Sequence, residues 1–79
     1  MLTKYTVQYN EEKSRWELKK DGADTIIQSF SSKEAATQYD RLKKILGKEG
    51  GSVKIQKRNG RFQEERTYPR VADPRRSRG

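Results

Sequence analysis

The fold is decided by residues 51–67, Gly51 to Thr67, which read GSVKIQKRNGRFQEERT and place Asn59-Gly60 between two extended runs. Asn-Gly in this position is the strongest short-range signal for a hairpin with a type I′ turn, because both central residues of that turn need a positive φ. Pairing outward from the turn sets Arg58 opposite Arg61 and Ile55 opposite Glu64. The stretch therefore predicts a two-stranded hairpin.

Side chains alternate between the two faces of this predicted hairpin. One face carries the polar residues Lys54, Gln56, Arg58, Arg61, Gln63 and Glu65, and the other carries Val53, Ile55 and Phe62. Two arginines directly opposite each other repel in a free hairpin. We therefore interpret Lys54, Arg58 and Arg61 as contacts to an anion.

Three more strands are predicted before the hairpin. Residues 5–9 and 16–19 alternate between apolar and polar side chains, which is typical of half-buried strands. Asp21-Gly22 marks the next turn, and the run 25–27 leads to Phe30. By alternation, Ile26 and Phe30 lie on one face of this strand and Ile27 on the other. A buried edge or a bulge is therefore needed to accommodate all three apolar side chains.

A helix is predicted from Ser31 to Gly47. Ser31 and Glu34 form a capping-box pattern, Phe30 supplies a hydrophobic staple, and Gly47 is a C-terminal stop. The apolar stripe recurs with helical spacing. It consists of Ala35, Tyr39, Leu42 and Leu46, widened by Ala36 and Ile45.

These elements give the order strand, strand, strand, helix, strand, strand. The order predicts an α+β fold in which a small antiparallel sheet of two hairpins packs on one helix. We expect one domain over residues 1–68, followed by a disordered, arginine-rich tail over residues 69–79. The sheet face away from the helix has no apolar layer to cover it, because only 29% of residues are hydrophobic.

The net charge of +8 is unevenly placed along the chain, although the part before the tail is basic as well. Residues 1–68 carry fifteen basic and ten acidic side chains, and the tail adds four arginines against Asp73. A Pro- and Arg-rich tail without an aromatic anchor cannot offset its ordering entropy. Arginine suits bidentate phosphate contacts, so Arg75, Arg76 and Arg78 join the predicted binding residues.

The residue types argue against catalysis. The chain has no histidine and no cysteine, and neither Glu11-Glu12 nor Glu64-Glu65 converges on one point. Gly50-Gly51 precedes a strand and is interpreted as a flexible connection. We expect a non-enzymatic protein with no cofactor and no metal. No apolar run approaches a membrane span, so we also expect no membrane partner and a cytoplasmic location.

Four segments resemble a known family, the domain of unknown function 2188 of small bacterial and phage proteins. They are residues 15–23 (RWELKKDGA), 30–36 (FSSKEAA), 50–55 (GGSVKI) and 59–68 (NGRFQEERTY). The resemblance covers residues 14–68, although Ser14-Arg15 stands where the family usually has a glycine before the tryptophan. It implies a fold and a length, but no activity.

A second likeness bears on binding. Trp16, Leu18 and Phe30, with the helix entry after Lys33, are similar to the sheet-plus-helix DNA-binding domains of phage integrases. Those domains place one sheet face in the major groove, and here Arg15, Glu17 and Lys19 would lie on that face.

We therefore expect a small nucleic-acid-binding module whose partner is duplex DNA, held through phosphate contacts. The predicted binding residues are Arg15, Lys19, Lys54, Arg58, Arg61, Arg75, Arg76 and Arg78. The alternative is a protein-interaction module: an adaptor, an inhibitor or a self-associating homodimer. It would dock its open sheet on an acidic protein or on a second copy.

Overall fold

A computed structural model describes residues 3–23 and 25–69 of the chain. It confirms the α+β class and the predicted order of elements. The strands are β1 (Lys4–Asn10), β2 (Arg15–Lys20), β3 (Ile26–Phe30), β4 (Gly51–Gln56) and β5 (Phe62–Tyr68). The helices are α1 (Lys33–Thr37) and α2 (Tyr39–Leu46), followed by a 3₁₀ turn, Gly47–Glu49. The predicted disordered tail lies outside the described residues, apart from Pro69.

The five strands form one mixed sheet in the order β3-β2-β1-β4-β5. Neighbouring strands are antiparallel except β1 and β4, which are parallel with Tyr5 opposite Val53 and Val7 opposite Ile55. The prediction of a wholly antiparallel sheet is therefore wrong at this central pair. Parallel strands require a long crossover, which the helical segment between β3 and β4 provides.

The core lies between one sheet face and the helices. Leu18, Val7 and Ile55 occupy one row across β2, β1 and β4, and all three are fully buried. Ala36 of α1 and Leu42 of α2 are fully buried against this face. The apolar–polar alternation of β1, β2 and β4 thus matches the sheet, because their apolar side chains face the helices and the alternate side chains point away from them.

The predicted single helix is divided at Gln38, whose ψ of 126° is extended. After the break, Tyr39 at the start of α2 is half exposed, whereas Leu42 and Leu46 are buried. The carbonyl that the break leaves at Thr37 accepts a hydrogen bond from Arg66 of β5. Gly47 ends α2 with a φ of 71°, as predicted.

The hairpin turn differs from the prediction. Asn59 has no positive φ, and the Gly60 N–H donates to the Lys57 carbonyl, with Gly60 at a φ of 89°. This is a three-residue loop, a type I turn followed by a left-handed glycine, and it pairs Lys57 with Arg61. Arg58 therefore does not lie opposite Arg61, because it occupies the turn itself.

A bulge in β5 offsets the extra loop residue, so the strand pairs farther from the turn have the predicted register. Ile55 lies opposite Glu64 and Lys54 opposite Glu65, as predicted, but Gln56 lies opposite Phe62. The register shift turns Phe62 away from the core, where the prediction had placed it. A second register shift lies between β2 and β3, where Leu18 pairs with Gln28 and Lys19 with Ile26. This confirms that a bulge accommodates the run before Phe30.

Gly50 and Gly51 are tightly packed, so their interpretation as a flexible connection is wrong. A Cβ on Gly50 would overlap the Tyr68 carbonyl oxygen, and one on Gly51 would lie 2.7 Å from the Tyr5 ring. The pair brings the start of β4 against both β1 and the end of β5. Both positions thus require glycine, because a side chain at either one would collide with a neighbouring strand.

Replacing Ser32 by alanine is expected to lower the free energy of unfolding by about 1 kcal/mol. The Ala35 N–H donates to the Ser32 hydroxyl, so Ser32, rather than the predicted Ser31, caps α1. Urea unfolding followed by circular dichroism measures the difference. Ser31→Ala is the control and should change stability by less than about 0.5 kcal/mol. A larger effect at Ser31 would contradict the assigned cap.

Candidate nucleic-acid interface

The sheet face away from the helices is polar, and we call it the open face. Its residues follow from the strand registers and from alternation with the buried set. They are Lys4, Thr6, Gln8 and Asn10 of β1, Arg15, Glu17 and Lys19 of β2, Ile26 and Ser29 of β3, Ser52, Lys54 and Gln56 of β4, and Phe62, Glu65 and Thr67 of β5. No helix of the described chain packs on this face.

Three lysines surround Thr6 at the centre of the open face. Thr6 lies opposite Lys19 on one side and Lys54 on the other, and Lys4 precedes it by two residues on β1. Two strand spacings separate the backbones of Lys19 and Lys54 by about 10 Å. Arg15 lies at the far end of β2, opposite Asn10.

The carboxylates near these cations accept hydrogen bonds from neutral side chains. Glu17 accepts a hydrogen bond from Asn10 at 3.1 Å, and Glu65 accepts one from Ser52. Asp21 accepts one from Thr6 at 2.7 Å, so its carboxylate lies near the centre of this face.

The described residues contain one ion pair, and it does not involve the open face. The lysines and Arg15 on this face make no ion pair within residues 3–23 and 25–69, and the carboxylates of Glu17, Asp21 and Glu65 lie among them.

The sequence-predicted binding residues are only partly brought together. Arg15, Lys19 and Lys54 share the open face, as alternation indicated. Arg61 is exposed beside the hairpin turn. Arg75, Arg76 and Arg78 lie outside the described residues.

Arg58 has a different environment from the one predicted. Its guanidinium carbon lies 4.6 Å from the centre of the Tyr9 ring, and it donates a 3.3 Å hydrogen bond to the Tyr9 hydroxyl. The Tyr9 ring meets the Trp16 ring edge to face at 5.2 Å, and the Lys33 ammonium lies over Trp16. Trp16 is a buried member of the core. Arg58 therefore joins the hairpin to β1 on the helix side of the sheet.

Sequence analysis missed Lys4 and Phe62 as residues of this face. The alternation of Lys4 with Thr6 and Gln8 would have indicated the lysine. The position of Phe62 follows from the bulge in β5, which no local sequence signal indicated.

A second polar cluster lies on the helix side of β5. Arg66 contacts Glu64 at 3.2 Å and donates a hydrogen bond to the Thr37 carbonyl. Burial lowers the pKa of the Arg66 guanidinium, but the adjacent Tyr68 hydroxyl and the Glu64 carboxylate raise it and prevail. The Tyr68 hydroxyl is buried beside this group without meeting hydrogen-bond geometry. We interpret the cluster as a support for the helix break.

Two further features of the described residues bear on function. Within residues 3–23 and 25–69, no group of three histidine, cysteine or acidic side chains is arranged to hold a metal ion. No helix in the same ranges is long and apolar enough to cross a membrane.

Comparison with known proteins identifies one family. Residues 5–68 match the family described as uncharacterized proteins conserved in bacteria, DUF2188. No curated protein and no solved structure matches the chain. The match begins one residue into β1 and ends with β5, so it includes both helices and all of the sheet except Lys4.

Proposed function

We propose that this chain, which belongs to the bacterial DUF2188 family, binds nucleic acid through phosphate contacts made by its open face. One observation carries the proposal. Lys4, Arg15, Lys19 and Lys54 share one polar face and have no ion-pair partner within the described residues. Unpaired basic side chains on a continuous surface are the electrostatic footprint of phosphate binding.

The width of the sheet limits how a duplex can be bound. Four spacings of about 4.8 Å separate the outer strands by roughly 19 Å, whereas the major groove is about 12 Å wide. Contact with duplex DNA would therefore run along the phosphate backbone, with the sheet outside the groove. Such contacts supply affinity without base specificity.

A protein-interaction module is less well supported. Such a surface has an apolar centre with a polar rim. On the open face the centre is formed by Thr6, Lys19 and Lys54, and the exposed Phe62 lies at one edge.

A charge-matched pair of double variants tests the proposal. Lys19→Gln with Lys54→Gln should make the slope of log K against log salt shallower by about 2 on duplex DNA, because two phosphate contacts are lost. Fluorescence anisotropy at several salt concentrations gives the slope. Lys43→Gln with Lys44→Gln removes the same charge from exposed positions in the last turn of α2 and should leave the slope nearly unchanged.

Two results would refute this function. Equal changes in both double variants would indicate attraction by net charge alone. If no nucleic acid bound to the wild-type protein at roughly 50 mM salt, where electrostatic contacts are strong, nucleic acid would be excluded as the ligand.

A further inference from the structure

We infer that Phe62 is a stacking site for an unpaired base, so that the preferred ligand of the open face is a single-stranded nucleic acid. This inference rests on the proposed function and specifies its substrate class. It follows from the exposure of Phe62, the lysine near it on the same face and the width of the sheet.

Phe62 is an exposed aromatic ring on a face whose other apolar side chain, Ile26, lies on β3 at the opposite edge of the sheet. It is 58% exposed and lies outside the hydrophobic core, on the same face as its register partner Gln56. Tyr39, another large exposed side chain, packs against the Tyr68 ring at 4.8 Å. Within residues 3–23 and 25–69, Phe62 has no such aromatic partner and no cation over its ring. Its ring face is free to accept a base.

One cation lies near this ring on the same face. Lys54 lies two residues before Gln56 on β4, the register partner of Phe62, whereas Arg61 alternates to the other face. Glu64 pairs with Arg66 on the helix side, and Glu65, which lies opposite Lys54, accepts a hydrogen bond from Ser52. Lys54 makes no ion pair within the described residues, so its ammonium is the group that would contact the phosphate of a base stacked on Phe62.

A single strand fits this arrangement better than a duplex. Bases within a duplex are stacked on each other and cannot reach a ring on a sheet that is too wide for the groove. An unpaired strand can turn its bases onto an aromatic platform and leave its phosphates to basic side chains. From Phe62, such a strand would cross Lys54 toward Lys19 over the centre of the open face.

The test compares a labelled oligothymidylate with a hairpin duplex by fluorescence anisotropy at fixed salt. We expect the wild-type protein to bind the single strand more tightly. Phe62→Ala should weaken single-strand binding about tenfold and leave duplex binding unchanged, because a base–aromatic stack is lost. Ile27→Ala is the matched control, since it truncates another exposed apolar side chain on β3, at the far edge of the sheet. It should alter neither affinity.

Phe62→Trp provides a second, spectroscopic readout. The indole keeps a stacking surface, so binding should be retained, and its fluorescence should be quenched by the single strand but not by the duplex. Thermal unfolding of each variant establishes that the fold is retained.

The outcomes separate the two proposals. Salt-dependent binding without single-strand preference, unaffected by Phe62→Ala, would overturn the stacking site and leave the proposed function standing. Loss of oligothymidylate binding in Ile27→Ala equal to that in Phe62→Ala would also overturn it. No binding of either nucleic acid by the wild-type protein would overturn both.

Discussion

Replacing Gly50 by alanine is expected to destabilise the domain by about 4 kcal/mol or more. Gly50 has a φ of 67° and a ψ of −154°, a region essentially restricted to glycine. Its Cβ would also overlap the Tyr68 carbonyl oxygen and lie 2.9 Å from the Pro69 carbonyl carbon. These are backbone atoms at the end of β5, which cannot move without disturbing its pairing with β4. Chemical unfolding followed by circular dichroism measures the loss.

Gly47→Ala is a closely matched control for this substitution. Gly47 has a φ of 71° and a ψ of −158°, almost the same conformation, but nothing lies within 4 Å of the position that a Cβ would take there. It should therefore cost only the backbone strain, about 1 to 3 kcal/mol. The difference between the two variants isolates the collision with β5. Equal losses would show that the close approach of Gly50 to Tyr68 is not a feature of the folded protein.

The fold class and the order of elements could be predicted because they depend on local periodicity. The parallel pairing of β1 with β4 could not, since the same two hairpins around one helix are compatible with either direction of pairing. The helix break at Gln38 carries no proline or glycine signal. The Thr37 carbonyl at the break accepts a hydrogen bond from Arg66, which is distant in sequence.

In the candidate site, too, the features that depend on local alternation could be predicted and those that depend on the register could not. Arg15, Lys19 and Lys54 were predicted on one face because alternation within a strand is a local property. The position of Arg58 was predicted wrongly because Asn-Gly also fits a three-residue loop. One additional loop residue shifts the pairing of the two strands and so changes the face on which the neighbouring side chains lie. A bulge in β5 then placed Phe62 on the open face. Turn length and bulges thus limit how far a register can be extended from a turn motif.

Replacing Arg66 by methionine is expected to lower the free energy of unfolding by about 2 kcal/mol or more. Methionine keeps an unbranched, apolar side chain at this position of β5 but removes the donor to the Thr37 carbonyl. That carbonyl lies where the helix is interrupted, so no residue of α2 replaces the lost bond. The expected result is a lower urea midpoint with fraying of α1, measured by hydrogen exchange of its amides.

Glu64→Gln distinguishes the two bonds of Arg66. It removes the ion pair but leaves the bond between Arg66 and the Thr37 carbonyl. The Glu64 side chain is 42% exposed, so solvent screens this pair and its loss should cost less than about 1 kcal/mol. A greater loss for Arg66→Met than for Glu64→Gln would assign the stability to the support of the helix break. Equal losses would instead assign it to the ion pair, and Gln38 would then interrupt the helix without help from β5.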